Sequence, residues 1–178
     1  MLKERLAGKR DGVLRKWLEL IAQTHPAGMN LLNDTDRFTN PVRHAFAKGT
    51  EVLYDGLLED RIGSDEVLKA LDDILRVRAV QDFSPGQAVG FVFLLKRAIR
   101  ESLGSEVNDH RTVEELTKLE SRIDDLALVA FDVYMNCREQ IFEVRVSEIK
   151  TARDDAFRLL DRVSRRAGRL EEGEGGAG

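Results

Sequence analysis

TVEELTKLESRIDDLALVAFDVYMNCREQIFEVRVSEIKTARDDAFRLLDRVSRR, residues 112–166, holds no proline, no glycine and no turn signal. Apolar residues recur in it at alternating spacings of three and four: Leu116, Leu119, Ile123, Leu126, Ala130, Val133 and Cys137, with Gln140 and Val144 extending the line. This is the period of a helix, whose residues three and four apart share one face. A second stripe, Ala127, Phe131, Tyr134 and Ile141, lies beside the first, so the early half has the broad apolar face of a core helix. The later part narrows to Ile149, Ala152, Ala156, Leu159, Leu160 and Val163 among many charges, closer to a coiled-coil seam. At roughly 1.5 Å per residue the stretch spans about 80 Å, against about 30–40 Å for a compact chain of this size. The expectation is that it protrudes. A protruding apolar seam needs a partner, and a second copy of the chain is the simplest one.

Upstream, the punctuation is also helical. Two of the three prolines follow good N-cap residues, at Asn40-Pro41 and Ser84-Pro85. Proline at the first helical position loses no bond, because that amide has no intrahelical acceptor. A first helix is expected to end near Thr24, its better half from Asp11 and the part before weakened by Gly8 and Gly12; further helices are expected over about 41–59, 64–82 and 84–103, with a Pro, Gly, Asn and Asp-rich loop over 25–39. Ser64 caps the third, and Ser84 with Gln87 forms a capping box on the fourth. Gly49 and Gly56 lie on the apolar stripe of the second, where they admit a neighbouring backbone. The fourth is apolar on most of its surface and belongs in the centre; Gly104 ends it. The fold class is all-α. The expected division is a helical domain over 1–144, an extended C-terminal helix or coiled coil over 145–167, and a disordered Gly/Glu tail over 168–178.

Composition narrows the function. Hydrophobic residues make up 42% and charged residues 34%, enough for a core under a charged surface. The 28 basic and 32 acidic residues give a net charge of −4, which does not recommend nucleic acid as a partner. No apolar run reaches the roughly 18–20 residues of a transmembrane segment, and the basic N-terminus lacks a signal peptide's apolar core. The expected location is cytoplasmic. Cys137, the single cysteine, makes no internal disulfide and no zinc cluster. The three histidines, His25, His44 and His110, are unpaired at metal-ligand spacing, so no metal or other cofactor is expected. Adjacent carboxylates such as Asp72-Asp73 and Asp124-Asp125 diverge by about 100° on a helix and do not chelate together. No nucleophile, base and orienting group converge in the pattern, so an enzyme is not expected.

One segment resists a purely structural account. The stripe through Leu71 and Ile74 puts Arg78, then Asp82, on the inward face of the third helix. A buried arginine is costly unless its donors find acceptors. Asp82 is one turn away; Asp34, Asp36 and Asn40 serve if the early loop folds over this corner. Arg76, Arg78, Gln81 and Asp82 are then either a structural clamp or a polar pocket for an anionic ligand. Lys96, Arg97 and Arg100, late in the fourth helix, either complement its dipole or dock an acidic partner.

Three stretches together resemble a known family. They are Asp36-Arg37-Phe38-Thr39-Asn40-Pro41-Val42, the block from Ile74 to Pro85 continuing through Gln87–Lys96, and Cys137-Arg138-Glu139 followed by Glu148-Ile149-Lys150. The pattern is that of the RsbRD N-terminal domain of RsbT co-antagonist proteins, over roughly residues 10–160. The resemblance implies a stress-signalling, stressosome-type role. It implies a haem-free, globin-like helical bundle that dimerises, its last helix leading toward a STAS domain. The sequence stops without room for a STAS domain, so a stand-alone form is expected and no switch-kinase function carries over. The expected function is a non-catalytic regulatory module acting through protein–protein contacts and homodimerisation. Its seam is Ile149, Ala152, Ala156, Leu160 and Val163. The alternatives are a small-ligand sensor, or an adaptor subunit of a larger redox or membrane-associated complex.

Overall fold

The computed structural model describes residues 1–24, 41–81, 83–107 and 109–174, with side chains over 1–24, 43–81, 83–107 and 109–166. In chain order the helices are α1 (Leu2–Gly8), α2 (Arg10–Thr24), α3 (Pro41–Leu58), α4 (Asp65–Val80), α5 (Pro85–Val89), α6 (Phe91–Leu103) and α7 (His110–Glu174). A 3-10 turn, Gly104–Glu106, follows α6. There is no strand among the described residues. The expected all-α class is what the structure shows.

The start signals act as their chemistry dictates. The Ser84 hydroxyl accepts from the Gln87 amide at 3.3 Å, and the Gln87 side-chain oxygen accepts from the Ser84 amide at 3.0 Å. Ser64 accepts from the Val67 amide at 3.4 Å. Gly104, at φ +52°, ends α6 in a conformation that side chains disfavour. The weaker part before Asp11 is helical from Leu2, because Leu2 and Leu6 are buried and their packing outweighs the propensity cost of Gly8. One boundary differs from expectation: the single helix expected over 84–103 is interrupted at Gly90, giving α5 and α6. Nor is α6 buried all round: Phe91, Val92, Leu95, Ala98, Ile99 and Leu103 face in, while Phe93 is exposed.

The chain divides into two compact units, Met1–Arg138 and the residues from Glu139 onward. In the first, α2 packs on α6 and α3 on α4. Trp17, Phe46, Tyr54, Phe91 and Tyr134 are its largest fully buried side chains. The α7 residues Leu116, Leu119, Ile123, Leu126, Ala130 and Cys137 are also buried, as the 3,4 spacing predicts. The line stops there, for Gln140 and Val144 are exposed. In the second unit the backbone is helical past Gly168 to Glu174. One glycine costs a helix only about 1 kcal/mol, too little to end it alone. The last four residues lie outside the described ones.

Gly49 and Gly56 are where α3 and α4 meet closely. A Cβ on Gly56 would sit 2.5 Å from Val67 Cγ2, and one on Gly49 2.6 Å from Ile74 Cδ1. Val67 is fully buried and stiff at χ1, so it yields poorly. Gly56→Ala is expected to destabilise by about 1–2 kcal/mol net, overpacking exceeding the gain in helix propensity. Gly12→Ala, with nothing within 4 Å of its added Cβ, is expected to stabilise by about 0.5–1 kcal/mol. Urea melts of the two variants should move in opposite directions.

Candidate functional site

The helical stripe of α4 does carry Arg78 inward: it is 2% exposed. Its guanidinium carbon stands 5.0, 5.2 and 5.2 Å from the ring centroids of Phe46, Phe83 and Phe91. Nη1 donates to the Gln87 carbonyl at 2.7 Å. Nε and Nη2 are buried and have no hydrogen-bond partner among the described residues. Burial pulls the Arg78 pKa down to about 10. The group remains charged at neutral pH, held by aromatic faces and one carbonyl.

Of the four residues expected to cluster, Arg76, Arg78 and Gln81 are described. Arg76 lies two positions before Arg78, about 200° away around the helix, and is exposed. It is paired with Asp72, its Nη2 donating at 3.0 and 3.1 Å, which raises its pKa. Gln81 is exposed and caps α4. Asp82, like the candidate acceptors Asp34, Asp36 and Asn40, lies outside the described residues. Helical periodicity finds the arginine but not its aromatic surroundings. Phe83 is legible from its position beside the capped turn; Phe46 and Phe91 come from other helices.

α4 and the turn after it are tied to α7 at three points. The Tyr134 hydroxyl donates to the Phe83 carbonyl. Arg138 Nη1 reaches the Ala79 carbonyl at 3.4 Å, and the Cys137 thiol lies 3.4 Å from Asp72 Oδ1. Burial, then the Asp72 carboxylate, push the Cys137 pKa up to about 11. The thiolate fraction therefore grows only as pH climbs toward that value. At pH 8 Cys137 is expected to react with a disulfide reagent on the order of 100-fold more slowly than an unhindered thiol. Guanidinium unfolding should release the full rate.

Lys96, Arg97 and Arg100 are engaged within the protein. Lys96 pairs with Asp124 at 2.6 Å, Arg97 with Glu101 at 2.6 Å, and Arg100 with Glu120 at 2.5 Å. No group of three or more His, Cys, Asp or Glu among the described residues is placed to hold a metal ion. No described helix is long and apolar enough to cross a membrane.

The second unit presents a different surface. Phe142, Val144, Ile149, Phe157, Leu159, Leu160 and Val163 are all exposed, Ile149 at 69% and Val163 at 63%. Ala152 and Ala156 are exposed too. The expected seam residues are thus open to solvent. Three of the expected seam residues, Ile149, Ala156 and Val163, fall seven apart and continue back to Phe142, the spacing of a coiled-coil core position. The same spacing includes Leu128 and Met135, exposed on the first unit. A count in sevens, not a continuation of the buried line through Gln140, adds Phe142 to the expected seam.

The described residues thus hold an arginine caged by aromatic rings in an all-α domain, and an exposed apolar heptad on α7. The chain belongs to the family of the RsbT co-antagonist protein rsbRD N-terminal domain, whose model matches residues 11–149. That is a family of regulatory signalling domains. It is also similar to an uncharacterized protein of Archaeoglobus fulgidus, 31% identical over 114 residues that cover 64% of this chain and 68% of the relative. No solved structure matches it.

Proposed function

We propose that the protein is a non-catalytic regulatory module of stress signalling that works by protein–protein contact in the cytoplasm, and that it forms a homodimer through residues 145–167. The observation that carries this reading is the exposed stripe of Ile149, Ala156 and Val163 at seven-residue spacing, with Ala152 and Leu160 beside it. Scattered surface apolar residues are ordinary, but a periodic line on one helix face is not. Two copies side by side remove each line from water at the same time. The family assignment supports the regulatory part. The globin-like arrangement that the family resemblance implies belongs to the same proposal.

Charges flanking the stripe favour parallel pairing. With Ile149 and Ala156 at the core position a, Glu148 occupies g and Arg153 occupies e. In a parallel pair the g residue of one helix faces the following e residue of the other, setting Glu148 against Arg153. Sedimentation equilibrium of the full chain at micromolar concentration should return twice the chain mass. A single chain mass across the concentration range would refute self-association.

A further inference from the structure

We propose that Arg78 receives the carboxylate of a small organic acid with an apolar body. Three features of the site lead there. The first is the edge left open. Nε and Nη2 lie side by side on one rim of the guanidinium plane, and both are buried without a partner among the described residues. Elsewhere in this protein the same rim of Arg10 takes Asp55 in two parallel bonds, Nε to Oδ1 at 2.8 Å and Nη2 to Oδ2 at 2.8 Å. A planar carboxylate matches that fork with two acceptors.

The second feature is the surroundings. The rings of Phe46, Phe83 and Phe91 answer the positive charge but bring no lone pair to the open rim. A buried charged donor left unmade carries its full desolvation cost, which an arriving acceptor recovers. An inorganic phosphate needs more donors than two, and the described residues around the open rim bring only these two. A monocarboxylate needs only these two, and the apolar lining suits the rest of the molecule.

The third feature is space. A cavity of about 210 Å³ shares Phe83, Gln87 and Phe91 with the cage and adds Thr24 and Leu94. Half-buried Phe83, in the turn before α5, belongs to both and stands between the cavity and the guanidinium it faces. Drug-sized sites run to about 300–1,000 Å³, so this one takes a short aliphatic or single-ring acid. The Phe83 carbonyl also accepts from Tyr134, so occupation would be felt on α7 within the same unit.

Arginine Nε–H resonances of the full chain, titrated with benzoate, hexanoate and inorganic phosphate, test this. One Nε–H signal, absent from Arg78→Lys, should shift saturably with millimolar benzoate or hexanoate, with a rise in melting temperature. Leu94→Trp, which fills the cavity and leaves the arginine in place, should abolish both responses. Arg78→Met removes a buried charge and should fold at least as stably as the parent, so its loss of the thermal response is not loss of the fold. The proposal is overturned by the absence of any shift with either acid. It is equally overturned by an undiminished response in Leu94→Trp, or by phosphate saturating the signal as readily as the acids. It does not depend on dimer formation, since the sedimentation result can fail while the Arg78 signal still moves.

Discussion

Ile149→Glu combined with Val163→Glu is expected to turn the dimer into a monomer, raising its dissociation constant by at least about 100-fold. Both side chains are exposed in the single chain, at 69% and 63%, so the changes remove no contact within it. Helical content and urea midpoint should be nearly unchanged. In the proposed parallel pair the same positions face each other across the symmetry axis. Each lost aliphatic side chain forfeits about 1.5–3 kcal/mol of burial. Four side chains are affected, and like carboxylates are set against one another in their place. A 100-fold weakening corresponds to about 2.7 kcal/mol, so that figure is a lower bound. The control is Phe157→Glu. Phe157 is as exposed as Val163 but lies one residue, about 100°, off the line through Ala156. It should leave the dimer intact. Sedimentation velocity of the three proteins decides, and equal dissociation in both variants would mean that general surface greasiness, not a seam, holds the copies together.

Much of the fold is legible in the amino-acid order, and the reason is local. Pro41, Ser64, Ser84 with Gln87, and Gly104 act within one helical turn of themselves, so their chemistry is complete in the sequence. The buried line from Leu116 to Cys137 is legible because a core face repeats faithfully at helical spacing. What periodicity does not reveal is set at a distance. The 3,4 spacing of α7 can be continued past Cys137 at more than one phase. Only the end of the first unit at Arg138 decides where the buried face stops. The interruption at Gly90 is hidden because a glycine inside an apolar run is compatible with either outcome. Periodicity alone places Arg78 inward, yet it does not place the residues around it. Among the described residues Arg78 is surrounded by aromatic rings from α3, α6 and the turn before α5, which no local pattern announces.

Trp17→Ala is expected to cost about 3–5 kcal/mol, a large part of the roughly 5–15 kcal/mol that holds a domain of this kind together. Trp17 is fully buried on α2 where it packs against α6. Its ring stacks on Phe91 with centroids 6.2 Å apart and planes 16° from parallel. Its Nε1 donates to the Phe91 carbonyl at 2.7 Å. Phe91 in turn meets Phe46 edge-on at 5.9 Å, and both rings stand over Arg78. Removing the indole therefore opens a cavity and loosens two walls of the arginine cage at once. Trp17→Phe keeps an aromatic ring, loses the indole donor, and should cost only about 1–2 kcal/mol. The urea midpoint should fall steeply for the first variant and slightly for the second, at constant m-value. In the fraction of Trp17→Ala that stays folded, the benzoate shift of Arg78 should weaken with the cage; in Trp17→Phe it should persist. A Trp17→Ala protein that melts like the parent would mean that α2 does not anchor this core.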